Sequence, residues 1–369
     1  MRVTAAVMPR PNQSFEIREI ELDAPRAGEV LVRIYGVGIC HTDLVAAEGR
    51  YSITMPAVLG HEGAGVIEDV GPGVTKVKPG DQVVITFAFC GDCPMCCSRQ
   101  PAYCRSMPAL NLSGKRADGS SSLRDDQGDV AGRFFGQSSF ASHALALERN
   151  VVKVPEGVPL EIAGPLGCGI QTGAGAIMRS MDCANGTSLA VLGGGAVGLS
   201  AIMAASLREM RAIILVEPSA RRRQLALELG ATHVIDPATV TDVAAAVRSA
   251  LSAGADYVFD TSGLPGVINA VPKILAPRGV FGFVGVPPAS AIDLGPPGTL
   301  REMMRGGFTY RGIIEGDSDP DVFLPELMTL YLKGQFPFDK LITTYPLSDI
   351  NRAVSDQHQG LCIKPVLLP

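Results

Sequence analysis

Residues 189–198 read Leu189-Ala190-Val191-Leu192-Gly193-Gly194-Gly195-Ala196-Val197-Gly198, and this stretch decides the fold of the middle of the chain. Four consecutive apolar residues make a buried strand. The glycines fit G-x-G-x-x-G at Gly193, Gly195 and Gly198, and the apolar run up to Leu207 makes a helix. Alone, such a motif also suits a plain packing turn. Here the context is complete, because a second strand is predicted over Ala212 to Val216 and Glu217 stands 19 residues beyond Gly198. Glycines at these places let a pyrophosphate approach the N-terminus of the helix, and the acid accepts from ribose hydroxyls. The Glu217 carboxylate would repel a 2′-phosphate, which favours NAD over NADP. Arg221, Arg222 and Arg223 lie just beyond and weaken that preference, unless they form a solvated helix face; Arg222 is the candidate among them for a coenzyme contact.

Working outward, Ser219 to Leu229 reads as a helix with Ser219 as its N-cap and Gly230 as its stop. Further strands are predicted at Val234-Ile235, Asp256 to Asp260, Gly279 to Val284 and Phe308 to Ile313. Alternating β and α units imply a parallel, doubly wound sheet. Before residue 90 the pattern differs, with short β segments such as Val30–Ile34 and Val83–Ile85 separated by turn glycines. Residues 113–133 are polar, charged and glycine-rich and are expected to form an exposed loop. The C-terminal end returns to mixed short elements. The expected fold class is therefore α/β, a β-rich domain interrupted by a doubly wound nucleotide-type domain.

The chain has 369 residues, enough for two domains, with 46% hydrophobic and 19% charged residues, which excludes disorder over most of its length. Its net charge is −5, from 32 basic and 37 acidic residues, and no basic block occurs, so no nucleic-acid partner is expected. The N-terminal residues lack the apolar core of a signal peptide. The most apolar window, Leu189 to Leu207, is explained by strand, turn and helix, so no membrane partner is expected either. These features point to a soluble, cytoplasmic protein.

Nine cysteines, an odd number, argue against a disulfide framework. Cys90, Cys93, Cys96 and Cys104 have the spacing C-x2-C-x2-C-x7-C, in a loop-like stretch with too few apolar neighbours for a core. Four thiolates give zinc a closed tetrahedral shell, hence a structural site, with an iron–sulfur cluster as the alternative. Cys97 falls outside the spacing. Cys40 in GICHTD, His61 in LGHEGAG and Cys168 in GPLGCGIQTG are each flanked by glycines or polar residues. A lone Cys or His is more often packed than ligating, but three of them on tight turns suggest a second metal. Two thiolates and an imidazole would leave zinc one open position. Cys183, Cys362, His143, His233 and His358 have no partner motif.

Taken in order, GICHTD, GHEGAGVI, the four-cysteine loop, GCGIQTGAGA and GGGAVG resemble the zinc-dependent medium-chain alcohol dehydrogenases over nearly the whole chain. GCGIQTGAGA and RGIIEGDS most resemble the aryl (benzyl) alcohol dehydrogenase branch. The resemblance implies a GroES-like catalytic domain over 1–170, with the structural zinc loop at 90–104. It further implies a Rossmann NAD-binding domain over 171–313, a return segment over 314–369, and a cleft between the domains. It implies catalytic zinc on Cys40, His61 and Cys168, with Glu62 the nearby acid, Asp43 the partner of the imidazole and Thr42 the proton-relaying hydroxyl. His41 and Lys364 would contact the coenzyme pyrophosphate. Thr172 and Val197 would touch the nicotinamide, and Val284, Val286 and Ile313 would line the coenzyme side. Phe87 and Phe134 would form the substrate wall. Val45 stands where better-known members carry a histidine that ends the proton path, leaving solvent or His41 to take the proton. The implied reaction is the NAD-linked oxidation of a small uncharged primary alcohol, benzyl-type or terpenoid, to its aldehyde, by a homodimer or homotetramer. The alternatives are a thiol-dependent formaldehyde dehydrogenase of the same family and a catalytically silent NAD-binding protein.

Overall fold

The computed structural model describes residues 1–285 and 299–369. The chain divides into two compact units. One comprises Met1–Gly169, Ser318–Gly334 and Phe338–Pro369, and the other Ile170–Asp317 and Gln335–Pro337. Ile170, residues 314–317 and the short piece 335–337 thus group with the second unit, although the sequence pattern assigned them to the first.

In the second unit, strands Ser188–Leu192 and Ala212–Val216 are buried at every residue. Unbroken apolar runs are what a parallel strand covered on both faces requires. The sheet runs His233–Ile235, Ala212–Val216, Ser188–Leu192, Ala255–Asp260, Leu275–Phe283, Thr309–Gly312, with every neighbouring pair parallel. The strand order reverses beside Ser188–Leu192, and ligands of doubly wound sheets bind at the carboxyl ends of the strands at such a point. The helix Ala220–Glu228 is capped by Ser219, whose side chain accepts from the Arg222 N–H at 3.4 Å. No helix among the described residues is long and apolar enough to cross a membrane.

The first unit holds two sheets. One runs Ala57–Val58, Arg2–Met8, Glu16–Leu22, Leu123–Asp125, Gly128–Val130. The other runs Val151–Lys153, Gln82–Ile85, Glu62–Val70, Glu29–Gly38, Lys364–Leu368, Ile342–Pro346, and His143–Leu147 also pairs with Glu29–Gly38. The C-terminal strand Lys364–Leu368 is antiparallel to Glu29–Gly38 and parallel to Ile342–Pro346, so it is built into the same sheet as the strand that leads to Cys40.

Residues 113–133 are not the exposed loop expected from their composition. They contain an antiparallel hairpin, Leu123–Asp125 with Gly128–Val130, and Arg116 is buried beneath it. The Arg116 guanidinium donates to Glu29 Oε1 at 2.9 Å and Oε2 at 3.0 Å, and to Asp23 Oδ2 at 2.7 Å. The planar fork of arginine matches the carboxylate, so charges that read as solvent-facing are paired with one another inside. Burial pushes the Glu29 carboxyl up, but Arg116 and Arg133 outweigh it and hold the group below the ordinary glutamate range. Arg116→Ala is expected to lower the stability of the first unit by about 3 kcal/mol, because it strands a buried carboxylate, and the urea midpoint reads this. With its pKa lowered in the folded state, Glu29 contributes stability above the ordinary glutamate range and loses it as pH falls through the lowered value. The gap between the urea midpoints of wild type and variant should therefore close on acidification.

Candidate functional site

Cys40 follows the strand Glu29–Gly38 and is the N-cap of the helix His41–Ala47. His61 immediately precedes the strand Glu62–Val70, and Cys168 joins the helical turn Gly164–Gly167 to the helix Gly169–Gly175. The ligating atoms of Cys40, His61, Glu62 and Cys168 all lie within 4.8 Å of one another. Fully buried Asp43 organises them. Its Oδ1 accepts from His61 Nδ1 at 2.8 Å and from the Gly60 N–H at 3.0 Å, and its Oδ2 accepts from the Cys40 N–H at 2.8 Å. With the proton on Nδ1, His61 Nε2 presents a lone pair, and this buried atom has no hydrogen-bond partner. An unpartnered imidazole nitrogen facing two sulfurs fits zinc. The neighbouring Cys168, then His61, and the charge of Lys364 hold the Cys40 thiol well below its ordinary value despite burial, which favours the ligating thiolate.

Lys364, which the resemblance assigns to the coenzyme pyrophosphate, is hydrogen-bonded within the first unit. Its Nζ is buried and donates to Glu62 at 2.8 and 2.9 Å and to the Ile39 carbonyl at 3.0 Å. Three N–H groups meet three oxygens, two of them on Glu62. Glu62 also accepts from the Gly169 N–H at 3.2 Å, next to Cys168. Burial raises the Glu62 carboxyl, and Lys364 offsets part of that rise.

Thr42 is half-buried, with its Oγ1 3.7 Å from Cys40 Sγ, while His41 is exposed and Val45 is 2% exposed. Phe134 packs edge-on to the His61 ring at 5.6 Å, and Phe135 stacks on that ring at 4.4 Å. Phe135, absent from the sequence-based candidates, has left-handed backbone (φ 50°), which no periodicity signals. Phe87 is buried, with its ring 6.0 Å from Phe89.

Cys90, Cys93, Cys96 and Cys104 converge with Sγ–Sγ separations of 3.4 Å (Cys104–Cys90), 3.6 Å (Cys93–Cys96) and 3.8 Å (Cys90–Cys96). A tetrahedron with metal–sulfur bonds of about 2.3 Å has edges of about 3.8 Å, so the four sulfurs fit one zinc ion. Backbone N–H groups of Cys93 and Ser106 point at Cys90 Sγ and Cys104 Sγ, both at 3.4 Å. Hydrogen bonds from the Arg105 and Cys96 backbone pull the Cys93 thiol down to about 6, whereas burial pushes Cys96 up to about 12. Cys97 is exposed and outside the cluster.

In the second unit the glycine turn runs from the strand end at Leu192 into the helix Ala196–Leu207, with Gly195 as N-cap. A Cβ on Gly198 would lie 2.0 Å from the Gly193 carbonyl oxygen, and Gly193 has φ 103°, so both must be glycine. A Cβ on Gly195 would meet nothing within 4 Å, which leaves the open approach that a pyrophosphate needs at a helix N-terminus. Glu217 is buried and already holds the turn. Its Oε2 accepts from the Gly194 N–H at 2.7 Å and its Oε1 from the Ser219 N–H at 2.9 Å. Arg222 Nη1 is 4.0 Å from Glu217, and its buried Nε has no hydrogen-bond partner. Thr172 and Val197 are brought together, since a Cβ on Gly173 would be 2.0 Å from the Val197 carbonyl oxygen. The Val284 N–H donates to the Asp260 carbonyl, Ile313 is buried against Gly282, and Val286 lies outside the described residues.

The family described as alcohol dehydrogenase GroES-like domain matches residues 26–156, and that described as zinc-binding dehydrogenase matches residues 196–330. The geraniol dehydrogenase of Castellaniella defragrans is 45% identical over 99% of this chain and 97% of its own. An alcohol dehydrogenase zinc-binding domain protein from Burkholderia ambifaria superposes with a TM-score of 0.96 at 47% identity, covering 100% of this chain and 99% of that one. The benzyl alcohol dehydrogenase of Acinetobacter calcoaceticus superposes with a TM-score of 0.95 at 39% identity, with the same coverage. Metal analysis checks the two ligand sets: wild type is expected to hold two zinc ions per chain. Cys93→Ser should lose one of them together with thermal stability, and Cys168→Ala should lose the other while melting close to wild type.

Proposed function

The chain belongs to the zinc-binding alcohol dehydrogenase family, and from that premise we propose that it oxidises primary aromatic or terpenoid alcohols to aldehydes, with NAD as hydride acceptor. It is an alcohol-specific oxidoreductase whose cofactors are zinc, at two sites, and a nicotinamide dinucleotide. The observation that carries the reading is the buried, unpartnered Nε2 of His61 among the sulfurs of Cys40 and Cys168.

Zinc held by Cys40, His61 and Cys168 supplies a Lewis acid that lowers the pKa of an alcohol hydroxyl. The chain's own residues do the rest. Asp43 fixes the tautomer of His61 and the backbone of Cys40, so both donor atoms are preset. Lys364 engages both oxygens of Glu62, which keeps that carboxylate from serving as an ordinary fourth ligand. The Thr42 hydroxyl, beside Cys40, receives the substrate proton. Val45 offers no group to pass it on, and exposed His41, one residue earlier, takes the outer position. The glycine turn binds the pyrophosphate and Glu217 the ribose, with a preference for NAD because a 2′-phosphate would face a buried carboxylate. Phe134 and Phe135, packed on the ring of a metal ligand, suit an aromatic or unsaturated alcohol better than a polyol. The names of the geraniol and benzyl alcohol dehydrogenases among its relatives support the same substrate class. Strand Thr309–Gly312 ends its sheet among the described residues, and a homodimer or homotetramer built on that edge completes the proposal.

An NAD reduction assay tests the reading. Benzyl alcohol, cinnamyl alcohol and geraniol are expected to exceed ethanol in kcat/KM by at least about tenfold; a preference for formaldehyde with a thiol would reject it. Cys168→Ala should abolish turnover with NAD binding intact. Glu217→Ala should raise the KM for NAD by about tenfold, from loss of charge-assisted hydrogen bonds, and narrow its margin over NADP.

A further inference from the structure

Residues 134–140 bring two rings to His61, and the rest of that segment is bonded to the main chain on which His61 stands. Phe135, Gly136 and Ser138 are left-handed, with φ of 50°, 69° and 53°. Backbone of this kind persists where its surroundings over-determine it, and here the surroundings are residues 58–63. The Phe140 N–H donates to the Leu59 carbonyl and the Ser139 N–H to the Gly60 carbonyl, both at 3.0 Å. The Ser138 hydroxyl donates to the Val58 carbonyl at 2.6 Å. Gln137, 1% exposed, directs its side chain to the backbone on either side of Glu62. Its Nε2 donates to the His61 carbonyl at 2.9 Å, and its Oε1 accepts from the Gly63 N–H at 3.1 Å and from Ser139 Oγ at 2.8 Å.

A carbonyl only accepts and a backbone N–H only donates, so the Gln137 amide has one orientation here. Along an extended chain the carbonyl of one residue and the N–H of the second residue after it point to the same side. A side-chain amide that engages both therefore acts as a neighbouring strand would. The sheet shows why one is needed. Strand Gln82–Ile85 pairs with Glu62–Val70 through Ala64 and Val84, a register that would bring Thr86 opposite Glu62, but the strand ends at Ile85. The Thr86 N–H turns to the Asn150 carbonyl at 2.8 Å, and its hydroxyl to the carbonyl of Gly167, next to Cys168, at 2.7 Å. The two strands part beside the zinc ligands, and the Gln137 amide takes the ladder place that is vacated. Gly63 leaves room for it, since a Cβ there would lie 2.8 Å from Ser139 Cβ and 3.1 Å from Gln137 Oε1. Asp43 holds the His61 ring and the Gly60 N–H before it, whereas Gln137 holds the carbonyl after it. We propose that Gln137 is a positioning residue for the catalytic metal, fixing the main chain of His61 so that Nε2 meets the ion beside the sulfurs of Cys40 and Cys168. This rests on the zinc reading above and adds to it a residue that touches no ligand atom.

Zinc retention against a competing chelator tests the role on the whole chain, with the melting temperature and the absorption bands of the Co2+-substituted protein as further readouts. Wild type is expected to release zinc from two sites, and Cys168→Ala identifies which release belongs to the catalytic one. Gln137→Met, similar in length but without the amide, should weaken the catalytic zinc by about 10- to 100-fold, the range for losing a partner that orients a ligand. It should leave the four-cysteine zinc unchanged and shift the Co2+ bands of the catalytic site. Gln137→Glu keeps an acceptor for Gly63 and loses the donor to His61, so it should weaken the same zinc. A merely structural role would lower the melting temperature, loosen both ions alike and leave the Co2+ bands of the loaded protein where they are; that result overturns the inference. So does catalytic zinc held as tightly as in wild type by either variant, while two zinc sites in wild type leave the metal assignment standing. A wild type with no zinc on Cys40, His61 and Cys168 overturns the inference together with that assignment. Should Gln137→Met fail to fold, Gln137→Asn decides. It keeps the amide but is too short to reach both backbone groups, so wild-type zinc retention there overturns the inference and selective loss of the catalytic zinc upholds it.

Discussion

The Asp43 carboxylate is the interaction on which the first unit's chemistry depends. A fully buried charge is expensive unless it is hydrogen-bonded, and this one accepts three N–H groups, from Cys40, Gly60 and His61. Two of the three belong to zinc ligands that are distant in sequence. One carboxylate thus locks a main-chain turn and a ring tautomer together. The geometry offered to the metal is set by protein–protein hydrogen bonds, and the ion does not have to impose it. Truncating Asp43 would free the His61 ring and the N-cap of the helix His41–Ala47 at once, although neither change touches a ligand atom.

The Glu62–Lys364 pair is the electrostatic counterpart of this lock. Two thiolates and two carboxylates gathered in a buried space require compensation, and the ammonium of Lys364 is bonded to one of them, Glu62. A divalent ion supplies the remainder. Lys364 opens the C-terminal strand, whose register on Glu29–Gly38 aligns Val366 with Gly38. The end of the chain is therefore an electrical component of the site as well as a sheet partner. A Cβ on Gly38 would lie 2.0 Å from Glu62 Oε2, so the strand that leads to Cys40 also leaves room for the pair.

What the sequence discloses and what it withholds follow from the range of the interactions. The glycine turn is legible because its requirements are local: a strand, left-handed or Cβ-free positions, a helix start and an acid at the next strand end. The four-cysteine loop is legible for the same reason, since ligand spacing alone brings the sulfurs to one ion. The Lys364–Glu62 pair is not legible because the two residues lie 302 positions apart. Arg116 misleads because a charged, glycine-rich stretch has the same composition whether its charges meet water or one another. Phe135 escapes notice because its placement depends on left-handed backbone that tertiary packing imposes on a residue with no propensity for it.

Glu217 shows how closely fold and chemistry are joined in the second unit. Pattern reading assigns it to the ribose, yet both of its oxygens already accept main-chain N–H groups, one from Gly194 inside the turn and one from Ser219 at the next helix cap. These roles are compatible, because each carboxylate oxygen has two acceptor directions and a backbone donor occupies only one. The acid therefore shapes the turn before any ligand arrives and retains lone pairs for the ribose hydroxyls. A shorter side chain could not hold both amides from the same backbone position, and an uncharged one would weaken both. The residue proposed to read the coenzyme is thus also the one that keeps the glycine turn in shape.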